Sequence, residues 1–190
     1  RITKGIAMAL KSRALLYWAS PQNNTSNDLT RWQKAASAAK EVIDYGKYSL
    51  ADYSTKFSGL SGHQNSEIIF CYMTGDNNIP ETFNYPITTP GGRTGTCPSG
   101  NLVDAYENSD GTPFNWSSLA VGEDPYANRD PRLKYSIITN KSVWNGRVIE
   151  CFDGGADASG TQVTTTGYYL KKFLTDKLNL ELGQTAIHSW

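Results

Sequence analysis

Residues 1–19 read RITKGIAMALKSRALLYWA and residues 30–43 read TRWQKAASAAKEVI, and these two runs decide the fold class. Both are built from strong helix formers. In the first, Ile2, Ile6, Ala9, Leu10, Arg13 and Leu16 recur at steps close to the period of one helical face. Trp32, Ala35, Ala36, Ala39, Val42 and Ile43 do the same in the second, where Thr30 and Gln33 are spaced as a capping box and Gly46 is placed to stop the helix. Pro21 and the polar run 22–27 break the chain between them. Ala7 and Ala14, one heptad apart, leave room for a neighbouring backbone, so the helices are expected to form an antiparallel hairpin of tetratricopeptide type. One such pair cannot bury its own outer face. Further repeats are therefore expected outside these 190 residues, and the piece alone is expected to be marginally stable.

Beyond Gly46 the helical period gives way to aromatic, Gly- and Asn-rich sequence. Strands are expected at residues 66–73 (SEIIFCYM), 135–139, 144–152 and 162–173. A long loop rich in Pro and Gly fills residues 74–100, Ser99 can cap a short helix through Leu102, Val103 and Tyr106, and Asp110-Gly111 signals a turn. The expected fold is mainly α with irregular α+β. A helical hairpin spans residues 1–50 and a loop-rich region with short strands spans 51–190, both parts of one larger domain.

Bulk composition removes several functions. Hydrophobic residues make up 38% of the chain and charged residues 19%, which is the balance of a folded globular protein. Eighteen basic residues offset eighteen acidic ones without a Lys/Arg cluster, so nucleic acid is not an expected partner. No apolar run reaches the roughly 18 residues needed to cross a bilayer. Cys71, Cys97 and Cys151 lack C-x-x-C spacing, and His63 and His188 are far apart, so no metal or other cofactor is expected and the thiols read as unpaired. Ser61-Gly62-His63 places a hydroxyl near an imidazole in sequence, but such proximity does not orient a base, and no G-x-S-x-G elbow is present. Asn23, Asn24, Asn115 and Asn140 each begin an N-x-S/T triplet.

Six segments together carry a resemblance: RITKGIAMALKSRALLYWASP (1–21), WQKAASAAKEVIDYGKYSL (32–50), SEIIF (66–70), PSGNLVDAYENSDG (98–111), DPYANRDPRLKYSII (124–138) and TTTGYYLKKF (164–173). In content and order they resemble the SusD/RagB family, NLVDAYE with the downstream NRDPRL being the most specific pair. The resemblance implies a SusD-like fold and an internal piece of a longer chain. It also implies a lipoprotein of the bacterial outer-membrane surface, anchored by a lipid outside this segment, that captures glycans or peptides and hands them to a SusC-like TonB-dependent transporter. No catalysis is implied.

Sugar rings present C–H faces and a rim of hydroxyls, so a binder needs flat aromatic platforms with polar groups at the edge. Aromatic residues are 12% of the chain. Trp116 lies in a polar, turn-rich stretch where no periodic pattern demands burial, and is the first candidate platform; Tyr72, Phe83, Tyr85 and Trp144 follow, with Asn77, Asn78 and Asn84 as edge groups. Trp18 and Trp32 sit at helical core spacing and are assigned to packing. The Asn128-Arg129-Asp130-Pro131-Arg132 run reads as a tied turn rather than an anion clamp. A glycoside hydrolase using Asp104, Glu107 or Asp110 is a competing reading, disfavoured because no second acid is marked out; a scaffold that binds only protein is another.

Overall fold

The computed structural model describes residues 2–55, 65–158 and 163–188. Arg1, the Ser61-Gly62-His63 triplet, Gln162 and Trp190 lie outside the described residues. Two compact units emerge, one from residues 2–52 with 65–72, the other from 53–55 with 73–188.

The first unit is a hairpin of α1 (Lys4–Ala19) and α2 (Leu29–Asp44). Thr3 caps α1, its hydroxyl accepting from the Ile6 N–H. The cap of α2 is Asp28 rather than Thr30: its carboxylate accepts from the Thr30 N–H at 2.8 Å, which moves the start two residues earlier than the capping-box spacing implied. Asn24 holds the connection, donating to the carbonyls of Ala19 and Asp28 and accepting from the Asp28 N–H. Gly46 ends α2 at φ +65, where a side chain would be strained.

The seam of the hairpin is rotated from the one the apolar spacing suggested. Gly5, Met8, Ser12, Leu15 and Ala19 are the least exposed line on α1, and Ala35, Ala38 and Val42 that on α2. Ala7, Ala14, Ala36, Ala39 and Ile43 face outward, and Leu10 and Leu16 are 67% and 53% exposed. Gly5, Ser12 and Ala19 on α1 and Ala35 and Ala38 on α2 let the backbones approach along the seam, while Leu10 and Leu16 on the other face of α1 stay exposed among the described residues. Trp18 is not a packing residue here. Its ring lies under the Arg31 guanidinium at 4.5 Å and beside the Lys34 ammonium at 5.5 Å, cation–π contacts at the hairpin surface.

Residues 66–73 are not a strand. The Ser49 N–H donates to the Ser66 carbonyl, but the next donor, the Ala51 N–H, goes to the Glu67 carboxylate instead of a backbone carbonyl, so the pairing does not continue as a ladder.

In the second unit, short elements are joined by turns: α3 (Ile79–Asn84), α4 (Gly100–Asp104), α5 (Pro131–Ser136), and β1 (Ile137–Ile138), β2 (Val143–Trp144), β3 (Arg147–Val148) and β4 (Tyr169–Leu170). Antiparallel pairing joins β1 to β4 and β2 to β3. Each expected strand is cut short for a local reason. Asp130 caps α5 and Pro131 occupies its first turn, so residues 131–136 are helical and only Ile137 and Ile138 remain extended. Asn145 and Gly146, at φ +48 and +77, fold residues 143–148 into a two-residue hairpin of type I′ geometry. Thr164 bonds the backbone of Tyr168 as donor and acceptor, withdrawing that stretch from any ladder.

Two apolar clusters form the core. Tyr85, Ile138, Trp144, Ile149, Tyr169 and Leu174 make the first; Val103, Leu133, Ile137 and Tyr168 make the second, with Tyr106 and Tyr126 against it. Fully burying an aromatic or branched side chain contributes about 1.5–3 kcal/mol, so these clusters dominate the unit. Buried polar groups join distant segments: His188 Nε2 lies 2.9–3.0 Å from both Glu81 carboxylate oxygens, and Asp157 accepts from the Glu150 N–H, Thr88 and Arg147. The three cysteines are free thiols, and burial pushes the Cys151 thiol up to about 12, so it is unreactive at neutral pH.

Gly92 packs where a side chain cannot go. A Cβ there would sit 2.7 Å from both the Pro86 carbonyl oxygen and Tyr85 Cβ, whereas at Gly100 it would meet nothing within 4 Å. Gly92→Ala is expected to cost about 1–3 kcal/mol in denaturant unfolding, with Gly100→Ala neutral or mildly stabilising. Equal effects would contradict this packing.

Candidate functional site

The loop between α4 and α5 builds an aromatic platform from the inside outward. Ser99 caps α4, accepting from the Leu102 N–H at 3.2 Å, and Asp110-Gly111 turns the chain, with Gly111 at φ +83. The turn is fixed by Asp110, whose carboxylate accepts from the backbone and hydroxyl of Thr112. A single bridge then pairs Asn108 with Arg129.

Arg129 is 5% exposed and is the base of the platform. Its guanidinium donates to the Val103 and Tyr106 carbonyls, each at 2.6 Å, and to the Pro125 carbonyl at 3.4 Å. The face of Phe114 lies 3.5 Å from the guanidinium carbon. Burial pulls the Arg129 pKa below its ordinary value, an effect the Asp104 charge opposes. Phe114 in turn meets the edge of Trp116, the ring centroids 5.1 Å apart and the planes at 81°. Trp116 is locked a second time, its indole N–H donating to Asp104 at 2.8 Å, yet it stays 46% exposed. A large ring held at two points with much of its surface open is pre-organised for stacking.

A cleft of about 250 Å³ is lined by Phe114 and Arg129 together with Asn108, Asp110, Glu123 and Asp124; Trp116 does not line it and is joined to it through Phe114. Asp110 is held below the usual carboxylate range first by the Thr112 hydroxyl and then by the Thr112 N–H, so it stays charged in mild acid.

The sequence model of the SusD family matches residues 66–187, which contain this whole arrangement. The chain belongs to the SusD family. Its fold agrees with a crystal structure of a SusD-like carbohydrate binding protein from Bacteroides fragilis, with a TM-score of 0.76 at 22% identity. That similarity covers all of this chain and 37% of the other, so this SusD-family segment spans well under half the length of that protein. No curated protein matches the chain.

Within this SusD-family chain the expected platform residues separate. Phe83 is 51% exposed, with the Arg93 guanidinium 5.6 Å from its ring. Tyr72 is 68% exposed and belongs to the other unit. Tyr85 and Trp144 are corrections: at 0% and 2% exposure they pack edge to face at 5.6 Å inside the first core cluster, and the Tyr85 hydroxyl donates to the Thr175 carbonyl. No open face remains on either. The three asparagines are spent on backbone. Asn77 donates to the Gly75 carbonyl and accepts from the Ile79 N–H, Asn78 donates to the Gln184 carbonyl, and Asn84 to the Pro80 carbonyl. Sequence reasoning missed the cleft residues Asn108, Glu123 and Asp124 and the support given by Phe114, because nothing in their spacing signals that the bridge to Arg129 gathers them. As the sequence reading held, Arg129 and Arg132 tie the turn: Arg132 forks onto the Asp130 carboxylate, which also caps α5.

Arg129→Met leaves the Tyr106 carbonyl without a donor and the Val103 carbonyl with only the Tyr106 N–H, and is expected to destabilise the protein by about 2–3 kcal/mol in denaturant unfolding, with Arg132→Met near neutral. In a carboxyl titration followed by NMR, Thr112→Val is expected to raise the Asp110 midpoint part-way to the ordinary value of about 3.9. The sign for stability follows. A depressed folded-state pKa stabilises above the unfolded value, and that contribution is lost as the pH falls through the folded-state pKa.

Proposed function

We propose that this chain is the ligand-facing part of a non-catalytic, lipid-anchored protein of the bacterial outer-membrane surface, which captures poly- or oligosaccharide and delivers it to a SusC-like TonB-dependent transporter. The observation that carries the reading is Trp116, a residue 46% exposed yet fixed by Asp104 and by Phe114, which itself lies on a buried arginine. An indole face suits the C–H face of a pyranose, and the neighbouring cleft supplies the amide and carboxylate edge that hydroxyls need. Phe83 is a secondary contact, and Tyr72, in the other unit, is a separate candidate. Family membership supports capture as the role, and the carbohydrate binding named for the Bacteroides fragilis relative supports sugar as the ligand.

Binding without chemistry fits the acids in view. Asp104 is engaged by the Trp116 indole, and Asp110 is held below the carboxylate range, the opposite of what a glycosidase acid requires. Among the described residues no group of three or more acidic, His or Cys side chains is arranged for a metal ion. No helix there is long and apolar enough to cross a membrane.

Calorimetric titration of the full-length protein against a glycan panel, with Trp116→Ala, tests this. The substitution is expected to cost about 2 kcal/mol, roughly thirtyfold in Kd, with unfolding unchanged. Unchanged glycan affinity removes the platform from the account. Binding confined to peptides moves the protein to RagB-like peptide capture.

A further inference from the structure

The charges around the cleft beside Trp116 are of one accessible sign. Asp110, Glu123 and Asp124 line it, with Asn108, Ser109, Ser118 and Asn128 as neutral partners. Each carboxylate spends one oxygen on its own turn: Asp110 on Thr112, Glu123 on the Ala120 N–H at 3.0 Å, and Asp124 on the Tyr126 N–H at 3.0 Å. Their other oxygens make no hydrogen bond among the described residues and are left to solvent or ligand. Arg129 is the cation among the lining residues, and it is 5% exposed. Its terminal nitrogens are bound to three carbonyls, its face is covered by Phe114, and its buried Nε–H has no acceptor. The arginine is thus not available to hydrogen-bond a ligand, and its single buried positive charge offsets only part of the three carboxylate charges that line the cleft.

From this we infer that the Trp116 cleft selects for charge: it accepts uncharged or amino-bearing sugars and rejects glycans carrying carboxylate or sulfate groups. The inference rests on the reading of Trp116 as a glycan platform. A hydroxyl can donate to the free carboxylate oxygens, and an ammonium can pair with them, so both gain bonds on entering. A uronate or sulfate ester brings a like charge within a few ångströms of three others and finds no exposed cation among the described cleft residues to pair with. Such juxtaposition sets specificity through the partner it excludes. Because Asp110 is held in its charged form by Thr112 from two directions, the exclusion persists into mild acid.

The test uses full-length protein and three oligosaccharide probes of matched length: neutral glucan or mannan, chitosan, and oligogalacturonate. Kd is measured at low and high salt for the parent protein, for Trp116→Ala, and for the triple variant Asp110→Asn, Glu123→Gln, Asp124→Asn. The amides keep an oxygen for each turn bond, so the fold is expected to survive, which unfolding measurements verify. The expected result is Trp116-dependent binding of a neutral or chitosan probe with oligogalacturonate at least about tenfold weaker, a gap that narrows in high salt and in the triple variant. Trp116-dependent binding in which oligogalacturonate is as tight as the others, or a gap that the triple variant leaves intact, overturns the charge selection and leaves the platform standing. Glycan binding indifferent to Trp116→Ala overturns the platform itself.

Discussion

A guanidinium buried without a carboxylate partner is an expensive element, and the second unit is arranged around one. Arg129 satisfies the end of α4 through Val103 and Tyr106, reaches back to Pro125, and lays its charge against Phe114. The carbonyls and the ring replace water and a counter-ion. Because the same group closes a helix end, a loop and a ring, the loop between α4 and α5 has one arrangement in which all three are satisfied. The position of Trp116 follows from that arrangement, since it leans on Phe114 and is held from the other side by Asp104.

This explains how a loop-rich segment can hold a binding surface still. Short helices and two-residue strands give little rigidity of their own. Rigidity comes instead from polar side chains that cross between segments: Glu81 with His188, Asp157 with Thr88 and Arg147, Tyr169 with the Asp157 carbonyl at 2.7 Å. Two apolar clusters fill the space between these ties. The platform thus rests on a core although no long element passes beneath it, which is the condition for a stacking site that does not pay ordering entropy on each binding event.

What could be read from the residues divides along the range of the forces involved. Helix existence, the Gly46 stop, the Ser99 cap and the Asp110-Gly111 turn are local, and all were legible. Strand lengths were not, because Asp130-Pro131, Asn145-Gly146 and Thr164 each carry a local signal that overrides weak alternation. The seam of the hairpin was misjudged because apolar spacing marks every face that ends up covered. On α1, Leu10 and Leu16 lie on an exposed face, whereas the seam mixes Gly5, Ser12 and Ala19 with Met8 and Leu15. Tyr85 and Trp144 ranked behind Trp116 in sequence, but nothing local marked either as a core residue. What separates them is long-range: Tyr85 reaches Thr175 ninety residues on, and Trp144 packs on it, whereas Trp116 finds its partners within its own loop and Asp104.

The central claim is that the open face of Trp116 is a landing surface for a sugar ring. A crystal structure of the full-length protein with a bound oligosaccharide tests it most directly. The account predicts a pyranose lying parallel to the indole, with hydroxyls turned toward Asp110, Glu123 or Asp124. A structure in which another part of the polypeptide covers Trp116, with the sugar held elsewhere, would contradict it.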